Sequence, residues 1–149
     1  PKAMGNRHPS IAPYEVFRTA DRPFVLAVGN DRQFASLVEV LGAPELATDE
    51  RFVTNTARVA NREELTKIVD DLLSTRTADE WFDALTAARV PCGPLNDIAD
   101  AVALAERLGL APVVTIDDPE REEPLRQIAN PIRLSATPPT YRSAPPRLG

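Results

Sequence analysis

His8 and Cys92 are the sole histidine and the sole cysteine of this sequence. Together they limit the chemistry available to it. A CxxC redox pair and a Cys-rich zinc site both need more thiols than one chain supplies. A histidine-based metal cluster is excluded on the same count, so no metal site is expected. Cys92 stands in VPCGPL, flanked by Pro91, Gly93 and Pro94. A catalytic thiolate there would need a basic partner, and His8 or an arginine could serve. The competing reading is a packed structural cysteine in a turn. His8 lies in GNRHPSIAPYEVF with no serine or aspartate at a motif spacing. It reads as an exposed loop histidine or, alternatively, as one that lines a substrate.

Carboxylates are plentiful. Asp70 and Asp71, and Asp79, Glu80 and Asp83, fall on the polar faces of helical periods. They read as solvated surface rather than as an acid–base pair. The same holds for DDPEREE at 117–123. Gly29, Asn30 and Asp31 close a strand and open a helix. Such a start caps the helix and also favours anions. No GxGxxG and no Walker A motif occurs in the sequence.

The elements that must position these groups follow from periodicity. Residues 14–19 and 24–28 are short β-prone runs around ADRP, which predicts a hairpin. Phe34, Leu37, Val38 and Leu41 recur at helical spacing, with Asn30 or Asp31 as N-cap and Gly42 beyond the end. Leu65, Ile68, Val69, Leu72 and Leu73 form a second stripe, with Asn61 as N-cap and Glu64 completing a capping box. Thr77 and Glu80 repeat that box before Trp81, Phe82 and Leu85, with Trp81 as a core anchor. Asn96 is expected to cap a fourth helix carrying Ile98, Val102 and Ala105 and stopping at Gly109. Residues 112–116 and 126–134 read as strands, the second broken at Pro131.

Proline marks the division of the chain. None of the 15 prolines lies between Pro44 and Pro91, whereas eight lie from Pro112 to Pro146. The middle can be helical and the last quarter cannot. The expectation is an α+β fold: an antiparallel sheet with a β-hairpin, about four packed helices and a Pro-rich extended C-terminal segment. Its parts are a loop or linker at 1–13, a small domain at 14–111, and return strands with a tail at 112–149. Hydrophobic residues make up 43% of the chain, enough for a core. A net charge of −5 argues against nucleic acid as the main partner. No apolar run is long enough to span a membrane. The expected setting is cytoplasmic and reducing. The first residue is Pro1 rather than Met, as in a processed protein or a piece of a longer one.

Four stretches carry a further likeness: GNRHPSIAPYEVFRTADRPFVLAVGNDRQF, RFVTNTARVANREEL, VPCGPLNDI and NPIRLSATPP. In this order and spacing they resemble the class III CoA-transferase family, also called the CaiB/BaiF family. The resemblance covers essentially the whole chain. It implies the smaller C-terminal part of an enzyme that moves CoA between carboxylic acids. The larger, Rossmann-like N-terminal part would hold most of the CoA. It would also supply the aspartate that attacks the thioester and becomes an acyl anhydride. No catalytic residue is then expected within these 149 residues, and the chain alone is expected to be inactive. Coenzyme A and acyl-CoA would be substrates of the full-length enzyme, with no cofactor bound by this chain alone. The implied partners are the N-terminal domain and a second subunit in an interlocked homodimer.

The resemblance also assigns a site. A glycine-rich loop in the formyl-CoA branch moves over the reactive aspartate, and Gly5, Asn6, Arg7, His8 and Pro9 occupy its place as a substrate-lining loop. A lone Gly5 in place of a glycine run points to an acyl group bulkier or differently charged than formate or oxalate. Asn30 and Asp31 would face the active site. In the racemase branch of the family a glutamate near this helix start helps move a proton, and Asp31 is the nearest carboxylate here. A racemase-type enzyme and a non-catalytic interaction module are the alternatives to a transferase.

Overall fold

The alternation in YEVFR and PFVLA produces an antiparallel hairpin of β1 (Tyr14–Arg18) and β2 (Pro23–Ala27). The register sets Phe17 opposite Phe24 and Glu15 opposite Leu26. All four residues are buried, so one face of the pleat turns inward. The computed structural model describes residues 5–119 and 121–146. The hairpin turn is fixed to the helical layer: Asp21 Oδ1 accepts from the Ala78 N–H at 2.7 Å, and Arg22 pairs with Asp79 at 2.8 Å. A third strand, β3 (Cys92–Pro94), pairs antiparallel with β2 and gives the order β1-β2-β3. It occupies the segment that reads as a turn from its prolines. Pro94 within it, and Pro91 just before it, are tolerated because this short strand lies at a sheet edge.

Five helices are described. In α1 (Asp31–Val40), Asn30 is the N-cap and accepts from the Gln33 N–H. Gly42 follows the helix at φ +79°. A one-turn 3-10 segment, Pro44–Ala47, then leads toward α2 (Asn55–Ala60), a short helix that periodicity does not reveal. Asn61 ends α2 and also precedes α3 (Arg62–Leu73), which it does not cap with its side chain. Its amide donates to Arg51 O and Ala57 O instead, and Glu64 pairs with Arg51. The expected capping box is therefore absent, because two helices abut and Asn61 is held by the first. The Thr77–Glu80 box does form at the start of α4 (Ala78–Ala87).

α1, α3 and α4 contribute to one core with the hairpin, in which Phe34, Leu37, Leu65, Val69, Leu73, Trp81 and Leu85 are each at most 1% exposed. Each such side chain contributes about 1.5–3 kcal/mol. Trp81 Nε1–H donates to Leu73 O at 2.7 Å, which satisfies the indole inside the core. The buried stripe of α3 is Leu65, Val69 and Leu73; Ile68 and Leu72 are only half-buried at its flanks.

By its contacts the chain divides into two compact units, Pro1–Leu95 and Asn96–Gly149. The division precedes the boundary at 111 that composition suggests. In the second unit, Asp97 rather than Asn96 caps α5 (Ile98–Arg107), accepting from the Asp100 N–H. None of the residues of α5 is fully buried, and Ile98 is 85% exposed. β4 (Val113–Ile116) and β5 (Leu125–Ile128) form a separate antiparallel pair. β5 stops before Pro131, and residues 129–146 contain no helix or strand.

The two faces of α3 make opposite stability predictions. Leu73→Ala, at a fully buried position, is expected to cost about 2–5 kcal/mol. Leu72→Ala, at the flank, is expected to cost clearly less. Urea unfolding of the two variants measures the difference, and equal losses would mean that the buried stripe is misassigned.

Candidate functional site

The loop before β1 is held down by its own polar residues. Arg7 Nε donates to Glu15 Oε2 at 2.8 Å, and Arg7 Nη1 donates to Glu63 Oε1 at 2.6 Å. Thr66 Oγ1 donates to the other oxygen of Glu15 at 3.1 Å. Glu15 is 4% exposed, and a buried carboxylate requires such partners. The Arg7 guanidinium is pushed further into its charged form, first by the hydrogen bond to Glu63 and then by the field of Glu15. Asn6 Oδ1 accepts from the Val16 N–H at 3.0 Å, and the His8 N–H donates to Tyr14 O at 3.0 Å. The His8 ring stacks on Tyr14 with centroids 5.1 Å apart, and its Nδ1 accepts from the Ser10 N–H. His8 is thus half-buried rather than an exposed loop histidine. Gly5 turns the chain at φ +64°, a conformation suited to glycine. Pro9 O lies 3.5 Å from Nη2 of the buried Arg62, at the outer limit of a hydrogen bond.

Asn30 and Asp31 sit at the start of α1. The Asn30 side chain is engaged in capping, and Gln33 Oε1 accepts from the Gly29 N–H at 2.8 Å. Asp31 Oδ1 accepts from Arg58 Nη2 at 2.7 Å. Arg58 is completely buried. Its Nε donates to Ala12 O at 2.7 Å and its Nη1 to Phe52 O at 2.9 Å, while the guanidinium lies over the Phe34 ring at 4.4 Å. Arg58 therefore ties the chain just after the loop to Asp31 on α1. Sequence reasoning misses Arg58, which links Asp31 to the segment between that loop and β1.

These contacts decide what the site can do. Asp31 is bound to a permanent cation, which suits a positioning role more than proton transfer. Glu15 is likewise committed to Arg7. His8 has no carboxylate or hydroxyl partner among the described residues, so no nucleophile–base pair is formed around it. Cys92 lies in β3, half-buried, and burial raises its thiol above the ordinary value. That is the behaviour of a packing cysteine. Asp70 is more than surface: its Oδ1 accepts from the Arg18 N–H at 2.7 Å and fastens α3 to β1. Among the described residues, no group of three or more His, Cys, Asp or Glu side chains is placed to hold a metal ion.

The model of CoA-transferase family III matches residues 1–149. The chain belongs to this family. It is 48% identical over 106 residues to an acetyl-CoA:oxalate CoA-transferase of Acetobacter aceti, which covers 71% of this chain and 27% of that protein. It is 40% identical over 156 aligned positions to a succinate–glutarate CoA-transferase of Agrobacterium fabrum, covering 100% of this chain and 37% of that one. A crystal structure of a CaiB/BaiF family protein from Brucella suis superposes with a TM-score of 0.78 at 38% identity, over 99% of this chain and 38% of that chain. The family member described here thus spans roughly a third of the length of the relatives it matches. The α+β fold expected from the sequence is the fold of the family.

Arg58 is expected to be the most sensitive polar position of the first unit. Arg58→Lys retains the charge but loses the planar fork, so at least two of its three acceptors lose their donor. The expected cost is about 3 kcal/mol or more. Asp31→Asn keeps an acceptor at a largely exposed position and is expected to cost under about 1 kcal/mol. Chemical denaturation of both variants checks the ranking, and a neutral Arg58→Lys would show that the buried network contributes little.

Proposed function

We propose that this chain is the smaller part of an enzyme that transfers CoA from an acyl-CoA to a free carboxylic acid. The nucleophilic aspartate lies outside these residues. In this reading that aspartate attacks the thioester carbonyl, the CoA thiolate leaves, and an acyl anhydride remains on the enzyme. The family match along the whole chain carries the proposal. The relatives named above for oxalate and for glutarate support a dicarboxylic acid as one substrate. The lone Gly5 loses its force as an argument against oxalate beside a relative named for oxalate.

An anhydride is destroyed by water, so an element that closes over it protects the reaction. Gly5 to Pro9 is proposed as that element. Its contacts fit such a cover. An ion-pair cluster at Arg7, a stack and a backbone hydrogen bond at His8, and the Asn6 side chain on the Val16 N–H can hold a loop in place and still release it. Asn30 and Asp31 are proposed to face the same site. The bond from Asp31 to Arg58 argues against the proton-transfer role that a racemase would require of it.

The remaining two thirds of the protein would supply the CoA-binding domain, and two such chains would form a homodimer. The exposed apolar side chains Ile98, Leu108, Leu110, Ile128, Ile132 and Leu134 of the second unit support a partner surface there.

Two measurements test this reading. The 149-residue chain alone is expected to give no acyl transfer between two acids above the buffer rate. Its reading frame extended upstream is expected to give transfer when supplied with one acyl-CoA and a free dicarboxylic acid. Activity of the short chain, or epimerisation without transfer by the long one, overturns the proposal. In light scattering, the 149-residue chain is expected to self-associate and a version ending at Leu95 to remain monomeric. If both are monomers, the second unit is not an association element.

A further inference from the structure

A polar cleft of about 260 Å³ opens between the first turns of α1 and the end of α4, lined by Asn30, Arg32, Gln33, Ser36, Ala88 and Arg89. It holds two guanidinium groups and no carboxylate. Neither Arg32 nor Arg89 has a side-chain hydrogen bond, ion pair or ring contact among the described residues. Asp31, next to Arg32 in sequence, is bound to Arg58. The cleft therefore carries two formal positive charges that no ion pair among the described residues neutralises. The opening of α1 adds little to this, because Asn30 and Gln33 already hold each other and the Gly29 N–H.

The backbone at Arg89 is a second, independent observation. α1, α4 and α5 end with the same paired bonds. Gly42 N–H donates to Glu39 O and Ala43 N–H to Val38 O; Arg89 N–H donates to Thr86 O and Val90 N–H to Leu85 O; Gly109 N–H donates to Glu106 O and Leu110 N–H to Ala105 O. This ending requires a left-handed residue, which is glycine at 42 and 109 and arginine at 89, with φ +79°, +69° and +59°. Glycine fits that position without steric cost, and a side chain does not. An arginine there is unfavourable for the backbone, and among the described residues its side chain makes no bond that would offset this.

We infer that the Arg32–Arg89 cleft is an oxyanion-binding site for a carboxylate or phosphate group. The planar fork of arginine pairs bidentately with both groups, and two forks in one cleft exceed what a single surface charge offers. Asn30, Gln33 and Ser36 add polar groups around the bound anion. The inference stands on the cleft and on the helix end, apart from the transferase reading, and its test reads binding without CoA or catalysis.

The test is an NMR titration of the ¹⁵N-labelled 149-residue chain with sodium phosphate, with sodium glutarate, and with sodium chloride at matched ionic strength. Saturable shifts of the Arg32 and Arg89 Nε–H signals and of the Ser36 amide are expected with phosphate, glutarate or both, and not with chloride. The tighter of the two identifies the source of the anion. Arg89→Gly installs the residue used at the other two helix ends. It is expected to retain or raise the melting temperature while weakening anion binding at least about tenfold. Arg32→Gln is expected to weaken it likewise, and Arg18→Gln, an exposed arginine outside the cleft, to leave it unchanged. Shifts that never saturate and follow ionic strength alone would overturn the inference. So would an Arg89→Gly variant that binds as well as the parent. If binding is found and the extended enzyme transfers no CoA, the transferase reading fails and this one stands.

Discussion

The buried guanidinium of Arg58 is the constraint around which the first unit is arranged. Removing an arginine from water is costly, and only a full set of acceptors makes the position tenable. Those acceptors come from three separate places in the chain: Ala12 before β1, Phe52 before α2, and Asp31 on α1. Two are backbone carbonyls, so what Arg58 fixes is the path of the main chain. The Phe34 ring under the guanidinium supplies the remaining face. α2 is only a turn and a half long and has little packing of its own. Its role is to deliver this one side chain inward.

A second polar layer depends on that path. Once the chain at Ala12 is fixed, β1 begins with Glu15 facing inward, where a hydrophobic residue would be expected from the pleat. The carboxylate can remain there because Arg7 folds back over β1 and Thr66 rises from α3. The loop and the strand therefore need each other. Glu15 without Arg7 is a poorly paired buried charge, and Arg7 without Glu15 holds the loop only through an exposed pair with Glu63. The Arg7–Glu15 pair is thus the contact that joins the loop to the strand in the interior.

The apolar half of this design is legible in the sequence. The stripes of α1, α3 and α4, the hairpin and the Thr77–Glu80 box all follow from spacing, because hydrophobic burial and capping are local in the chain. The polar half is not. Arg58 and Glu15 have the composition of surface residues, and their partners lie 46 and 51 residues away in sequence at the farthest. No period reports such a pairing. Asn61 misleads for a related reason: its type fits an N-cap, but the end of α2 claims its side chain first. β3 is hidden by prolines that disfavour strands in general and are harmless at an edge. The GND turn is legible as a cap. The cleft beside it depends on Arg89, which is distant in sequence and has no motif.

The two units solve the burial problem differently. In the first, the hairpin, α1, α3 and α4 close on one another, and the large apolar side chains are almost completely hidden. In the second, one helix and a two-stranded pair offer too few surfaces to enclose a core. Ile116 is the one hydrophobic side chain there that is fully buried among the described residues. A stretch of this composition could have evolved a polar exterior, as solvent-facing strands do. Instead, Ile132 and Leu134 alternate with Pro131 and Arg133, beyond the exposed Ile128, along a segment that cannot become helical. Extended chain with apolar side chains at the surface is stabilised by being laid against another surface, whether of the same protein or of a second copy. The proline content then has a clear physical sense: it lowers the entropy lost when such a segment is fixed in an extended path, and it removes the backbone donors that would otherwise recruit unwanted strands.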